Sequence, residues 1–360
     1  CARFPIVWVP AHRRTETSAR PLRNSTPRLP LFFCNPLTPV HAMKQRLEAE
    51  LVPITAALQR ATEALPAPVR PVAAHIFDAG GKRLRPFLTV LLARLLGYAG
   101  EDIYELAVSM EMLHAATLLH DDVLDNADTR RGAAAAHTRF GVTSTILAGD
   151  ALLAAANRIV ARHGDTRLTA CFAEATARTA AGEIREIEFL RRVDQGADVY
   201  LDIVEGKTAW LIRASCVMGA LKAQGAPRLV ETAADYGLCL GMAFQMVDDA
   251  LDFAPTSVTG KPTGGDVREG KLTPPLQLYR AGLDDAARAA FDAAFAEGRL
   301  TEDDAARIGD VIRNRGFDAA TRRQAGEFLL RSLDALNRLP DGPERPVLRQ
   351  MVEYVQNREK

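Results

Sequence analysis

Residues 118–132, "LLHDDVLDNADTRRG", place three carboxylates within five positions and two arginines shortly after them. The acidic residues are Asp121, Asp122 and Asp125, and the basic ones are Arg130 and Arg131. The preceding stretch, "AVSMEMLHAATLL" (107–119), is largely apolar and is typical of a buried helix. An acidic cluster is commonly a solvated helix face, but carboxylates at the end of a buried helix repel one another and lose hydration. The pattern therefore predicts a positively charged partner at this end of the helix.

A second acidic cluster with the same spacing lies in "FQMVDDALDF" (244–253), where it contains Asp248, Asp249 and Asp252. In each cluster the first and last aspartates are four residues apart and share one helix face, where like charges destabilise a helix. Such paired clusters favour a site for hard cations, and Mg²⁺ prefers few carboxylates together with waters and phosphate oxygens. The chain has no set of His and Cys ligands with zinc-site spacing. The sequence therefore predicts several Mg²⁺ ions and a diphosphate ligand.

The composition predicts an all-α fold. Of the 360 residues, 48% are hydrophobic and only 6% are aromatic, and strand-like alternation is scarce. Helices are expected at 43–65, on both sides of a Gly-Gly break within 70–100, at 103–126, 143–162, 167–190, 197–220 and 227–252, and in several segments after residue 282. The stretch 255–275 is rich in glycine and proline, and we expect a long functional loop there. Residues 43–360 are predicted to form a single domain.

Residues 1–42 differ from the rest of the chain. They contain six arginines, seven prolines and a single acidic residue, Glu16, without helical periodicity. We interpret them as a disordered extension that precedes a native start at Met43. The alternative is an organelle transit peptide, which would place the protein in mitochondria, although the prolines disfavour the amphipathic helix that such a peptide needs.

The charge balance and the cysteines restrict the class of protein further. Without residues 1–42 the chain has 39 basic and 44 acidic residues, which does not indicate a nucleic-acid-binding protein. Cys171, Cys216 and Cys239 lie in apolar helical stretches and form no Cys-x-x-Cys pair, which favours a reducing compartment. No apolar run is expected to span a membrane. These observations predict a cytoplasmic protein.

Basic residues are grouped in three further places. The motif "GGKRLRP" (80–86) presents Lys82, Arg83 and Arg85 at a predicted helix start, a natural site for anions. Arg130 and Arg131 follow the first acidic helix, and "EGKTAWL" (205–211) contains Lys207 and Thr208. Single basic residues mostly serve solubility, but this set beside two acidic motifs indicates two phosphate pockets, one of which works without metal.

The motifs together resemble those of the trans-polyprenyl diphosphate synthase family. "GGKRLRP", "LLHDDVLDNADTRRG", "GKTAWL", "FQMVDDALDF" and "GKPTGGDVREGK" occur in the family's order and spacing over residues 43–360. The resemblance implies the isoprenoid synthase fold, a bundle of antiparallel helices around a central cavity. It implies a Mg²⁺-dependent prenyltransferase, with three metal ions, that condenses isopentenyl diphosphate with an allylic diphosphate. One departure is Pro274, where the family more often has leucine.

The resemblance also implies roles for individual residues. Asp121, Asp125 and Asp248 would hold Mg²⁺ against the allylic diphosphate, and Asp122, Asp249 and Asp252 would complete or support the two clusters. The allylic diphosphate would contact Arg130, Lys207, Thr208, Lys261 and Lys271. Isopentenyl diphosphate would contact Lys82, Arg85, His114 and Arg131, and Gln245 matches the glutamine before the second motif. Asp121, Asp125, Asp248 and Lys207 are the expected catalytic residues, and a homodimer is expected.

The residues just before Asp121 bear on product length. A growing apolar chain must run away from the diphosphate along the first acidic helix, past Ala116 and Thr117. Bulky aromatic residues stand at these positions in short-chain members of the family. The small side chains here favour a long product of eight to ten isoprene units, suited to a quinone such as ubiquinone, released with peripheral membrane contact.

Other functions remain open at this point. One is a shorter-chain, geranylgeranyl-type synthase, and another is a non-catalytic subunit of a heteromeric synthase. A terpene cyclase shares the fold but should lack the "GGKR" element. A regulatory diphosphate-binding protein is the remaining alternative.

Overall fold

The structure, a computed structural model, describes residues 39–255 and 263–358. Side chains are described from Glu48 onward. Most of the predicted extension 1–42 and the predicted ligand Lys261 therefore lie outside the described residues. The first helix begins at Pro39, four residues before Met43.

Helices make up 77% of the structure, as the composition predicts. They are α1 (Pro39–Glu63), α2 (Arg70–Asp78), α3 (Leu84–Leu95), α4 (Ile103–Leu124), α5 (Ala136–Phe140), α6 (Val142–Arg162), α7 (Thr166–Phe189), α8 (Ala197–Val204), α9 (Trp210–Lys222), α10 (Pro227–Leu251), α11 (Gly265–Glu269), α12 (Pro274–Ala281), α13 (Asp285–Ala296), α14 (Glu302–Arg315), α15 (Phe317–Arg338) and α16 (Arg345–Gln356). A π-helical turn, Glu205–Ala209, joins α8 to α9.

The centre of the bundle is formed by α4, α9 and α10. In α9, ten of thirteen residues are buried, and a helix that is apolar on all sides belongs in the interior. It packs against α3, α7 and α10, while α4 packs against α3 and α6, and α10 against α15. One apolar core surrounds α4 and α6, and a second surrounds α10, α15 and α16. This packing fixes α4 and α10 as the rigid supports of the two acidic motifs.

Both acidic motifs lie at the C-terminal ends of these buried helices. Asp121 and Asp122 are in the last turn of α4, and Asp125 follows its last residue. Asp248 and Asp249 are in the last turn of α10, and Asp252 follows that helix. The carbonyl groups at a helix C-terminus already carry partial negative charge. The carboxylates add to this charge, and the predicted need for positive partners becomes stronger.

A two-stranded hairpin, β1 (Thr129–Arg130) and β2 (Ala133–Ala134), departs from the all-helical pattern. Its two turn residues, Arg131 and Gly132, both have positive φ (52° and 80°), as a tight two-residue hairpin turn requires. The hairpin returns the chain towards α4 and presents Arg130 and Arg131 beside the first acidic motif.

The predicted loop 255–275 contains a short helix, α11. The carboxylate of Asp252 accepts the backbone N–H groups of Gly265 and Asp266, both at 3.0 Å, and thereby satisfies the start of this helix. Pro274 is the first residue of α12, where its missing N–H would have no helical partner. The local shape therefore accommodates the proline that departs from the family pattern.

One expectation about membranes needs qualification. Among the described residues, α6 (Val142–Arg162) is long enough and apolar enough, with a mean hydropathy of 1.2, to span a membrane by length and composition. This is weak evidence, since buried helices of globular proteins meet the same criterion, and α6 packs against α4 and α7. Cys216 and Cys239 are buried free thiols, as predicted, and Cys171 is partly exposed.

The close crossing of α3 and α9 predicts the effect of a single methyl group. A Cβ at Gly219 would lie 2.3 Å from the carbonyl oxygen of Thr89, so alanine must push the two helices apart. Overpacking of this kind costs about 1–3 kcal/mol. We expect Gly219→Ala to lower the free energy of unfolding by that amount in urea titrations.

Gly326 in α15 is the matched control, because a Cβ there meets no atom within 4 Å. Removal of a helical glycine normally stabilises by roughly 0.5–1 kcal/mol. Gly326→Ala should therefore raise the urea midpoint. Equal shifts in both variants would contradict the tight crossing.

Candidate active site

A cavity of about 1510 Å³ lies among α3, α4, α7, α9, α10 and α16. Most of the residues singled out from the sequence line it: Lys82, Arg85, His114, Ala116, Thr117, Asp121, Asp125, Arg130, Arg131, Lys207, Thr208, Gln245, Asp248 and Lys271. Asp249 lines a small adjoining pocket of about 120 Å³ together with Lys207 and Lys271. The structure thus brings together residues that are up to 189 positions apart in the sequence.

The three aspartates of the first motif have different surroundings. Burial, followed by the nearby carboxylates of Glu183 and Asp125, raises the pKa of Asp121 to about 7, against the opposing charges of Lys207 and Arg130. Asp125 is exposed. Asp122 is fully buried and accepts a hydrogen bond of 2.7 Å from Nε of Arg130, with a second contact from Nη2. Asp121 and Asp125 therefore face the cavity, while Asp122 holds Arg130.

The second motif also contains both cavity-facing and internally bonded aspartates, but only one of its three aspartates lines the large cavity. The carboxylate of Asp249 accepts hydrogen bonds from the hydroxyl of Tyr200 at 2.5 Å and from Nε2 of Gln245 at 2.8 Å. The carboxylate of Asp252 accepts hydrogen bonds from the first two backbone N–H groups of α11. Only Asp248 lines the large cavity, where it forms an ion pair of 2.9 Å with Arg358. Each motif thus contributes its leading aspartate to the cavity and uses others for structure.

These carboxylates do not converge into a closed metal cage. Within residues 39–255 and 263–358, no three His, Cys, Asp or Glu side chains are grouped closely enough to hold an ion alone. Asp121 and Asp125 on one side and Asp248 on the other line the same cavity from different helices. Burial, followed by the nearby carboxylates, raises the pKa of Asp121, so an added cation would favour its charged form. This donor set fits Mg²⁺, which takes few carboxylates and completes its shell with water and phosphate oxygens.

Lys207 is positioned by an unusually close contact between α7 and the π-helical turn. A Cβ at Gly182 would lie 2.2 Å from the backbone nitrogen of Lys207, and one at Gly206 would lie 2.8 Å from the Cα of Gly182. Both positions therefore need glycine. π-Helical turns are rare and frequently occur at functional sites. Here the turn directs Lys207 across the face of α7.

Two partly buried lysines contact three glutamates on this side of the cavity. Nζ of Lys207 lies 2.8 Å from Glu183 and 2.7 Å from Glu186. Nζ of Lys271 lies 3.2 Å from Glu186 and 2.8 Å from Glu269. Burial alone would lower the pKa of each lysine, but the adjacent carboxylates, Glu186 first, raise both. The ammonium groups are therefore fully charged at neutral pH.

A separate basic cluster lies at the start of α3. Burial lowers the pKa of Arg85 to about 10, and its Nε is buried without a hydrogen-bond partner among the described residues. Burial and the charges of Arg85 and Arg131 hold the pKa of His114 well below its usual range, so that its imidazole is neutral. Lys82 donates a 2.5 Å hydrogen bond to the hydroxyl of Tyr354. This cluster has the charge and the unused donor of an anion site.

The Gly-Gly break before α3 allows this cluster to form. A Cβ at Gly81, whose φ is +154°, would lie 2.6 Å from Nη1 of Arg131. Arg83 also lines the cavity, where it pairs with Glu111 at 2.7 Å. The glycine therefore lets the hairpin arginine approach the "GGKR" segment.

Sequence reasoning missed several residues of the site. These are Glu183, Glu186, Tyr200, Asp266, Glu269, Tyr354 and Arg358. Glu183 and Glu186 belong to "GEIREIE" (182–188), which has the pattern of an ordinary charged helix. Glu269 is an exception, since it belongs to the motif "GKPTGGDVREGK" (260–271), and so is Asp266 in the same motif. Burial and the carboxylates of Asp252 and Asp249 raise its pKa well above the usual range.

Comparison with known proteins defines the class. The sequence model of the polyprenyl synthetase family matches residues 67–310. The chain is 36% identical over 321 residues to heptaprenyl diphosphate synthase component 2 of Geobacillus stearothermophilus, covering 88% of this chain and 98% of that protein. Relatives named as geranylgeranyl, octaprenyl and nonaprenyl diphosphate synthases also match.

Solved structures agree. A decaprenyl diphosphate synthase from Rhodobacter capsulatus superposes with a TM-score of 0.83 at 36% identity, over 88% of this chain and 99% of the other. A polyprenyl synthase from Caulobacter crescentus, complexed with calcium and isoprenyl diphosphate, superposes with a TM-score of 0.84 at 34% identity, over 89% and 98%. The chain belongs to the polyprenyl synthetase family and is a prenyltransferase of isoprenoid biosynthesis. The predicted family and its all-α isoprenoid synthase fold are confirmed.

The division of the first motif predicts unequal effects on stability. Asp122→Asn removes the buried partner of Arg130, and we expect a loss of about 3 kcal/mol, the lower end of the range for a broken buried ion pair, because Arg130 is 30% exposed. Asp125→Asn removes an exposed charge beside other carboxylates and should change stability by less than about 0.5 kcal/mol. Urea unfolding in the presence of a chelator measures both. Similar losses in the two variants would refute the division.

Proposed function

We propose that this protein is a long-chain trans-polyprenyl diphosphate synthase. It adds isopentenyl diphosphate repeatedly to an allylic diphosphate primer such as farnesyl diphosphate. The observation that carries this proposal is a single cavity with two separate cationic clusters, carboxylates on two helices and small residues leading away from them. Two diphosphates that must react with each other need two such clusters in one cavity.

Mg²⁺ ions, which we place at three per active site, would be held by Asp121, Asp125 and Asp248. When bound, they would supply positive charge to stabilise the departing diphosphate. Lys207, Thr208 and Lys271 orient the allylic diphosphate, with Lys261 as a further ligand outside the described residues. Arg130, held by Asp122, adds a cation to the same side.

Isopentenyl diphosphate binds at Lys82, Arg85, His114 and Arg131. The neutral imidazole of His114 and the free Nε of Arg85 supply hydrogen-bond donors, and the guanidinium groups supply charge without metal. The double bond then lies towards the allylic carbon. No side-chain base is needed, because the released pyrophosphate accepts the proton.

The two-cluster arrangement predicts separable kinetic defects. Lys82→Ala should raise KM for isopentenyl diphosphate at least ~10-fold, because it removes a charge-assisted contact of about 1.4 kcal/mol or more, with little change for the primer. Lys207→Ala should impair use of the primer instead. Steady-state kinetics with each substrate varied in turn measures this.

Lys222→Ala is the control, since Lys222 pairs with Asp102 outside the cavity. It should leave both KM values unchanged. Impairment of the same substrate alone by Lys82→Ala and Lys207→Ala would contradict the two pockets.

A long product is supported by the small residues that precede Asp121 on α4. Ala116 is buried and lines the cavity beside Thr117, and Leu113, Leu153 and Leu211 continue the lining. The names of the relatives extend from geranylgeranyl to decaprenyl synthases, so the family alone does not set the length. We propose eight to ten isoprene units and a role in making the side chain of a quinone such as ubiquinone, in the cytoplasm or, if residues 1–42 are a transit peptide, in mitochondria.

The decisive experiment combines purified protein, an allylic primer, labelled isopentenyl diphosphate and Mg²⁺, with products resolved by length. The unaltered chain should give long products, and Ala116→Phe should give a much shorter product at a comparable rate, because the ring fills the cavity above Asp121. Ala116→Val is the control and should shorten the product little. An unchanged product from folded, active Ala116→Phe would refute the assignment of Ala116.

A homodimer is part of the proposal. Helix α6 exposes Val142 (50%) and Leu147 (60%), apolar side chains outside the cavity lining that a second copy would cover. The relative named "component 2" supports an alternative in which a different subunit is the partner. Sedimentation velocity distinguishes a 39.1 kDa monomer from its dimer, and activity of the purified chain alone excludes the need for another subunit.

A further inference from the structure

One carboxylate oxygen bridges the two lysines of the proposed allylic pocket. Oε1 of Glu186 lies 2.7 Å from Nζ of Lys207 and 3.2 Å from Nζ of Lys271. The two lysines come from different segments, the π-helical turn and the chain after α11, so the bridge exists only in the folded protein. A single oxygen between two ammonium groups is the arrangement that a phosphate oxygen would adopt there.

The positive charges of the two lysines are fully balanced by neighbouring carboxylates in this arrangement. Glu183 also contacts Lys207, and Glu269 also contacts Lys271, so three carboxylates surround two ammonium groups. The side chain of Glu186 is only 17% exposed, and its contacts are therefore weakly screened by water. Because Nζ of each lysine already contacts two carboxylates, a diphosphate that binds there competes with Glu186 for both ammonium groups.

The backbone that carries Glu186 is fixed, whereas the long side chains of the two lysines can move to another partner. The contact between Gly182 and Gly206 fixes α7 against the π-helical turn one helical turn before Glu186. Lysine has a long flexible side chain, whereas the glutamate lies on a packed helix. The carboxylate of Glu186 therefore stays close to both lysines when they bind an anion.

We propose that Glu186 competes with the diphosphate for Lys207 and Lys271 and thereby promotes the release of pyrophosphate in every elongation cycle. The inference rests on the proposed function, because it takes the allylic diphosphate to bind these lysines. When pyrophosphate leaves, both ammonium groups regain their contact with Glu186, which is favourable in a partly buried site. Glu186 is a positioning residue that acts through the lysines.

The test is the binding of inorganic pyrophosphate, in the presence of Mg²⁺, to the full chain by titration calorimetry. Glu186→Gln keeps the shape and removes the competing charge, and we expect it to bind pyrophosphate about 10-fold more tightly. With substrates, kcat should fall and KM for the primer should fall with it, because product release becomes slower. A residue with only a structural role would weaken binding instead.

Glu269→Gln is the matched control. Glu269 contacts Lys271 alone and its side chain is 53% exposed, so its loss should change pyrophosphate affinity by less than about 3-fold. Unchanged or weaker binding by Glu186→Gln, or equal tightening by both variants, would overturn the inference. If Glu186→Gln does not fold, Glu186→Asp, too short to bridge both lysines, is judged by the same criterion. Absence of pyrophosphate binding by the unaltered chain would instead refute the proposed function.

Discussion

The structure depends on negative charge concentrated at the C-terminal ends of two buried helices. α4 and α10 each end in partial negative charge of about half a unit, and each adds three aspartates at or just beyond its last turn. Such an arrangement is unfavourable in a packed interior unless cations approach it. The hairpin, the Gly-Gly break before α3 and the π-helical turn all bring cations to these ends.

Within each motif, some aspartates are held by internal contacts and others face the cavity. Asp122 pairs with Arg130, Asp249 accepts hydrogen bonds from Tyr200 and Gln245, and Asp252 satisfies the start of α11. These internal contacts position the site. The leading aspartates, Asp121 and Asp248, are left facing the cavity, and the burial of Asp121 near other carboxylates raises its pKa. Asp248 is paired with Arg358, so a metal ion at this carboxylate would have to compete with that guanidinium group.

The fold class and the acidic and basic motifs that line the cavity were predictable from the sequence, because both depend on local patterns. Apolar periodicity marked α4 and α10, and the repeated aspartate spacing marked their ends. Glu183 and Glu186 were not predictable, since charged residues three apart on a helix are usually solvated. The short helix α11 within the predicted loop was missed because its start depends on Asp252, thirteen residues before Gly265. A contact of that kind leaves no local signature.

The sequence by itself determined that this protein is helical and which family it resembles, and it predicted that two acidic motifs and several basic elements serve one polyanion chemistry. These properties follow from residue type and spacing. Only the tertiary structure decided which aspartate faces the cavity, which residue pairs with Arg130, and that one oxygen of Glu186 joins Lys207 to Lys271. The reason is physical: charge compensation is settled over a few ångströms between helices, and spacing along the chain does not encode those distances.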